Sequence, residues 1–266
     1  MKYPLDNLLK RLDDPVFRGT NVISWGSPVP SFGDLSRSTV ATLGLNPSNR
    51  EFVDPAGNEL DGAFRRFHTL KSLGLKKWSA ASTKHLDLIS ISCRDYFSRN
   101  PYDQWFRGLD QIISGTKASY YGSSANACHL DLIPYATTCK WTELTSQQQL
   151  SLLNSAGDTL GLLLKAAPVR LLVLNGASVI NNLERLSGIK LDKKPIRDWT
   201  LPRNSGKGIE GFAYQGTIRE VAGIRLSRDI HILGFNHNIQ SSFGVTNEVK
   251  LSIRRWISSA AEGVLS

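Results

Sequence analysis

The stretch Thr39-Val40-Ala41-Thr42-Leu43-Gly44-Leu45-Asn46-Pro47-Ser48 constrains the fold more than any other part of this chain. A short apolar, β-rich run bounded by turn residues reads as a buried strand, and Asn-Pro forces the backbone out of it. Asn46 is thereby set at the C-terminal end of a strand, which in open α/β sheets is where ligand-binding and catalytic groups gather. Near the other end of the chain, Ile230-His231-Ile232-Leu233-Gly234-Phe235 runs in the same way into Asn236-His237-Asn238. These two polar strand ends read as two lips of one cleft.

Between them the pattern alternates. Leu5 to Leu12 has the spacing of a short amphipathic helix, and Ser27-Pro28-Val29-Pro30-Ser31-Phe32-Gly33 forms the entry to the first strand. Phe64, Phe67 and Leu70 fit a helix over 63–73 that Gly74 closes. The aromatic segment around Tyr96, Phe97, Tyr102, Trp105 and Phe106 reads as core. Ala127-Cys128-His129-Leu130-Asp131-Leu132-Ile133-Pro134 is a further strand ending in proline. Residues 145–165 read as a helix capped by Thr145 or Ser146. A buried strand over 169–174 ends in Asn175-Gly176, and the next helix spans 177–186. From Leu191 to Arg228 the composition turns to Gly, Pro, Lys and Arg, an inserted hairpin or basic loop. A helix over 247–261 closes the pattern. Strands alternating with helices predict an α/β fold, three-layer α/β/α, with a central, mainly parallel, four-stranded sheet in a single domain over 1–266.

The 266 residues suffice for a well-buried core, and hydrophobic and charged contents of 41% and 21% are ordinary for a globular chain. Lys and Arg number 32 against 23 acidic residues, a formal charge of +9 that suits a polyanionic partner such as nucleic acid. Cys93, Cys128 and Cys139 are three in number without CxxC spacing, which argues against a disulfide framework, structural zinc or a four-cysteine cluster. His85-Leu86-Asp87 and His129-Leu130-Asp131 each offer two ligands on one strand face, but no acidic or histidine cluster accompanies them, so no metal is expected. The N-terminal segment lacks the apolar core of a secretory signal, and the apolar stretch over 160–174 is broken by Lys165, Pro168 and Arg170. A cytoplasmic monomer that needs neither membrane, cofactor nor obligate protein partner is the expectation.

Gly44-Leu45-Asn46-Pro47-Ser48 resembles the first motif of the uracil-DNA glycosylase superfamily, and is similar to the Gly-x-Asn-Pro-Gly of its mismatch-specific and single-strand-selective branches. His129-Leu130-Asp131-Leu132-Ile133-Pro134 resembles the central motif, whose strand carries the base-reading residue just before a proline. Phe235-Asn236-His237-Asn238-Ile239-Gln240-Ser241-Ser242 sits where that family has its final His-Pro-Ser-type motif and minor-groove loop. The motifs fall in family order, and the implied fold covers most of the chain. Ser48 stands for the usual Gly, and Asn238-Ile239-Gln240 for Pro-Ser-Pro. Asp131 stands where the family usually has Asn. An amide can donate to O4 of uracil and accept from N3–H, whereas an ionised Asp only accepts and suits the exocyclic amine of a cytosine-type base.

The resemblance implies a monofunctional DNA glycosylase that flips a base from the stack and hydrolyses its N-glycosidic bond. Asn46 orients the attacking water and supports the cationic sugar, and His237 donates to the leaving base near O2. Phe52 or Phe64 stacks on the base. Arg65, Arg66, Lys193, Lys194, Arg203 and Lys207 contact phosphates, together with Asn238, Gln240, Ser241 and Ser242 of the final motif. Residues 239–243 form the wedge that fills the vacated stack. With no Lys beside either lip, the product is an abasic site in an unbroken strand. Asp131 favours a modified cytosine, as in phage DNA, and hence a defence role. Uracil or damaged-base repair, a non-catalytic nucleic-acid-binding module and a small-molecule hydrolase are the alternatives. Read structurally, Asn46 caps a turn, His237 is a satisfied loop histidine and Asp131 is half of an ion pair.

Overall fold

The computed structural model describes residues 2–122, 125–203 and 208–265. Its frame is a six-stranded sheet built from β1 (Val40–Gly44), β2 (Ala127–Asp131), β3 (Leu171–Asn175), β4 (Asp192–Pro195), β5 (Phe212–Val221) and β6 (Ile224–Phe235), in the order β2-β1-β3-β6-β5-β4. β2, β1, β3 and β6 run parallel, as the apolar strand patterns require. β1, β2 and β3 are buried at every residue, the signature of strands covered on both faces.

The basic segment over 191–228 holds a hairpin, β5 turning at 222–223 into β6, and this hairpin is continuous with the main sheet. β4 and β5 add antiparallel strands to the β6 edge, and β6 itself begins six residues earlier than the apolar run indicated. On the outer part of this ribbon burial is sparse, Ala213, Ile218 and Val221 on β5 and Leu226 and Ile230 on β6, so the hydrophobic signal there is diluted by exposed polar and charged residues.

Helices follow most strands. α1 (Lys2–Leu12) packs on α2 (Thr83–Arg94), and α3 (Tyr96–Arg99) and α4 (Asp103–Ile113) precede β2. The expected helix over 145–165 is two, α5 (Ser146–Ala156) and α6 (Asp158–Ala166), separated at Gly157. Thr145 caps the first through a reciprocal box with Gln148: its Oγ1 accepts from the Gln148 N–H, and Gln148 Oε1 accepts from the Thr145 N–H. α7 (Ala177–Ser187) packs on β3 and β5, α6 on β5 and β6, and α8 (Asn247–Leu265) on β3, β6 and α4. Among the described residues no helix is long and apolar enough to cross a membrane.

The helix expected over 63–73 does not form. Residues 62–64 and 71–73 are 3-10 turns, and the backbone between them pairs with another loop. The Ser27 N–H donates to the His68 carbonyl and the Leu70 N–H to the Trp25 carbonyl. Phe67 is buried against Phe32 and Phe52, so the apolar spacing reflects a loop pinned to the core rather than a helix face.

Candidate functional site

The parallel strands end along one edge. Gly44 pairs with Asp131, Leu43 with Leu174, and Asn175 with Phe235, so the segments opening at Leu45, Leu132, Gly176 and Asn236 leave the sheet side by side. Asn46 lies two residues past β1 and is half-buried. Its Nδ2 donates to Thr137 Oγ1 at 2.9 Å, and more weakly to the carbonyls of Pro47 (3.2 Å) and Tyr135 (3.4 Å). Thr137 in turn donates to the Cys139 carbonyl, and Asn49 Nδ2 to the Thr138 carbonyl. The turn after β1 is thus stitched to the segment after β2 through amide nitrogens. Oδ1 of Asn46 is left without a hydrogen-bond partner among the described residues.

Asp131 is buried at the end of β2, with Oδ1 3.4 Å from Nε2 of His129. His129 Nδ1 lies 2.6 Å from Thr42 Oγ1, which is 2.5 Å from the Tyr120 hydroxyl. Thr42 and His129 are cross-strand partners, which sets the imidazole against the threonine hydroxyl. Trp105, Phe106 and Phe32 pack around its ring. Gly44 makes room for the pair: a Cβ there would lie 2.4 Å from Asp131 Oδ1 and 2.9 Å from His129 Nε2.

A third residue escaped the sequence reading. Glu51, on the 3-10 turn Asn49–Glu51 that follows Asn46-Pro47-Ser48, is buried. The Tyr96 hydroxyl donates to both its oxygens at 2.9 Å, and Arg66 Nε lies 3.9 Å from Oε2. Burial pushes its carboxyl up to about 7, with the charge of Asp131 adding to the rise and Arg66 and Tyr96 opposing it. Sequence offers only a lone acidic residue before Phe52, a pattern that ordinarily marks solvent. A buried carboxyl whose pKa is pushed up to about 7 is a recurrent mark of functional sites.

The opposite lip is built differently from expectation. His237 is only 3% exposed, and its Nε2 donates to the Trp199 carbonyl at 2.7 Å. Burial lowers its pKa, so it is neutral at pH 7. Its ring ties the loop to the segment before β5 rather than presenting a donor to the cleft. Asn238 holds the turn with its own side chain, Oδ1 accepting from the backbone N–H groups of Gln240 and Ser241. Asn175, a further strand-end amide, accepts from the Ile239 N–H and donates to Gln240 Oε1 at 2.6 Å, while Gln240 Nε2 donates to the Trp105 carbonyl. Gln240 is therefore a loop anchor. Ile239 is buried, and the exposed tip is Phe243, at 80%. Ser241 and Ser242 close the turn, the Ser242 N–H donating to the Asn238 carbonyl.

Of the two stacking candidates, Phe52 is a core residue, 2% exposed and wedged between Trp25 and Phe67, whereas Phe64 is 72% exposed. Arg65 lies 3.8 Å from Asp61. Arg66 is committed to the carbonyls of Arg50 and Asn100 besides Glu51, so it ties the turn after β1 to the segment at Asn100 rather than reaching for phosphate. Arg203 donates to the Phe243 carbonyl, and its guanidinium lies 5.5 Å from that ring's centroid. Lys193 sits over the Phe212 ring at 3.8 Å. Lys193 and Lys194 ride on β4, four strand spacings or about 19 Å from β1, so they lie beyond the immediate surroundings of Asn46. Lys207 lies outside the described residues.

The sequence matches no protein-family model and no curated protein.

Because the His237 ring is spent on a backbone carbonyl, replacing it with Ala should act on stability. We expect a loss of about 1–3 kcal/mol in denaturant unfolding, from a buried carbonyl left unpaired. Any activity at this site should fall less than it does on changing Asn46.

Proposed function

We propose that the chain is a monofunctional DNA glycosylase with a uracil-DNA-glycosylase-like fold, acting on a cytosine-type base. The observation that carries this reading is the Asn46 amide, anchored through Nδ2 with Oδ1 unspent, on a strand edge shared with the buried Asp131. An oriented carbonyl oxygen can hold a water and favour the electron-poor sugar that forms as the glycosidic bond breaks. Asp131 accepts from the exocyclic amine of the flipped base. The net charge of +9 suits the phosphates, and their neutralisation offsets part of the cost of flipping.

Phe243, held from behind by Arg203, has the exposure of a side chain that fills a vacated stack. Replacing it with Ala should weaken binding to duplex DNA by about 1–3 kcal/mol, the usual worth of one stacking aromatic, measured by fluorescence anisotropy. The engaged His237 favours one rival, a binding module without chemistry. Incubation with duplex DNA carrying one 5-hydroxymethylcytosine separates them. An alkali-labile abasic site is the expected product. Salt-sensitive binding with no such site would defeat the enzymatic reading.

A further inference from the structure

The far half of the β5–β6 ribbon holds a concavity of about 310 Å³ lined by Arg219, Arg225, Leu226, Ser227, Arg228 and Asp229. Strand register creates it. Ile218 pairs with Ile230 and Glu220 with Arg225, so Leu226–Asp229 of β6 lie opposite Arg219 alone and the longer stretch bows away from its partner. Bulges bend a strand and re-aim its side chains, and they gather beside functional sites. The ribbon around this one is firmly held. Ala222 and Gly223, both at positive φ, make the tight turn between the strands, and the Ala222 N–H donates to the Leu186 carbonyl of α7. Ser227 Oγ donates to the Lys165 carbonyl of α6, and the turn packs so closely on Gly161 of that helix that a Cβ there would lie 2.7 Å from the Val221 carbonyl. Five residues of regular strand, about 17 Å, separate Ile230 from Phe235, so the concavity lies at the end of the sheet away from Asn46.

Its charge is unbalanced. Asp229 holds Arg219 through two parallel bonds, from Nε to Oδ1 at 2.9 Å and from Nη2 to Oδ2 at 2.8 Å. Arg225 and Arg228 are exposed and have no hydrogen-bond or ion-pair partner among the described residues. Glu220, the cross-strand neighbour of Arg225, forms no ion pair with it. Three guanidiniums against one carboxylate leave an excess of positive charge in one hollow. A guanidinium stays charged at any physiological pH, and its planar fork matches two oxygens of a phosphate. Val221, Leu226 and Ile230 of the ribbon are buried, so it offers no apolar side chain to a bilayer. A lone phosphate gains little from exposed charges, whereas a polymer of phosphates gains from every counterion it sheds.

We propose that this concavity is a second nucleic-acid contact, remote from the strand-end cleft, in which Arg225 and Arg228 grip phosphodiester groups beside an Arg219 oriented by Asp229. Such contacts position a backbone and carry no sequence information. The site adds affinity and salt dependence, and it takes no part in base reading. It stands apart from the glycosylase reading, since a chain that released no base would still bind DNA here.

The test is fluorescence anisotropy of a labelled DNA duplex of about 24 base pairs, titrated with the full chain from about 50 to 300 mM NaCl. The variants are Arg225→Gln with Arg228→Gln, Arg225→Lys with Arg228→Lys, and Lys76→Gln with Lys77→Gln, two exposed residues of another loop that control for net charge. The glutamine pair at the hairpin should reduce the log–log salt slope by about 1.8, at roughly 0.9 for each phosphate no longer neutralised, with the thermal midpoint unchanged. The lysine pair, which keeps both charges, should retain the wild-type slope. A wild-type slope in the glutamine pair, or an equal reduction in the Lys76 and Lys77 control, would overturn the inference. So would a deoxynucleoside monophosphate that binds the wild type and not the glutamine pair while DNA affinity stays the same, the mark of a small phosphorylated ligand. Base release measured on the same preparations keeps the two readings apart: its absence, with the change in slope intact, would defeat the glycosylase alone.

Discussion

Replacing Asn46 with Ala should lower base release by about 10²–10³-fold, the typical effect of removing one preorganised polar group aimed at the reacting centre, or roughly 2.7–4 kcal/mol in the barrier. The loss should appear in the single-turnover rate and leave DNA affinity within a few fold, because in the proposed reaction the amide acts on water and sugar rather than on phosphate. A structural cost accompanies it, since Nδ2 also bonds Thr137 and so joins the turn after β1 to the segment after β2. Thr137→Val separates the two effects. It removes the acceptor for Nδ2 but keeps the Asn46 oxygen, and should cost far less activity. Equal losses for the two variants would mean that Asn46 only secures the turn.

Gly44→Ala should be nearly as damaging by a different route. Gly44 is not held in the left-handed region, so nothing in its backbone forbids alanine. The objection is contact: the new methyl would meet Asp131 Oδ1 at 2.4 Å and His129 Nε2 at 2.9 Å, where nothing is loose enough to yield freely. Overpacking of this kind costs about 1–3 kcal/mol, and at about 2–4 °C per kcal/mol for a chain of this size the thermal midpoint should drop measurably. Displacing Asp131 should also weaken base selection. A variant with unchanged melting and unchanged base preference would show that the His129–Asp131 pair is not fixed as described.

The sequence shows the strand-ending logic because it depends on local chemistry. Apolar runs closed by Asn46-Pro47, Pro134, Asn175-Gly176 and Asn236 mark the four parallel strands, which lie side by side in the sheet. What it conceals depends on contacts between distant residues. Glu51 looks like a surface acid until Tyr96, 45 positions later, closes over it. His237 looks like a free donor until the Trp199 carbonyl is seen to take it. The spacing of Phe64, Phe67 and Leu70 imitates a helix because one of the three serves the core and another the surface, while their backbone answers to residues 25–27. In the same way the basic segment before β6 hides two strands, since all four residues of β4 are exposed and only Ala213, Ile218 and Val221 of β5 are buried.

The most direct measurement is mass spectrometry of the bases freed from duplex DNA carrying one uracil and one 5-hydroxymethylcytosine at equivalent positions. The expected result is free 5-hydroxymethylcytosine, little uracil, and an abasic site in an unbroken strand. Release of neither base, with the DNA still bound, would contradict a glycosylase built around Asn46.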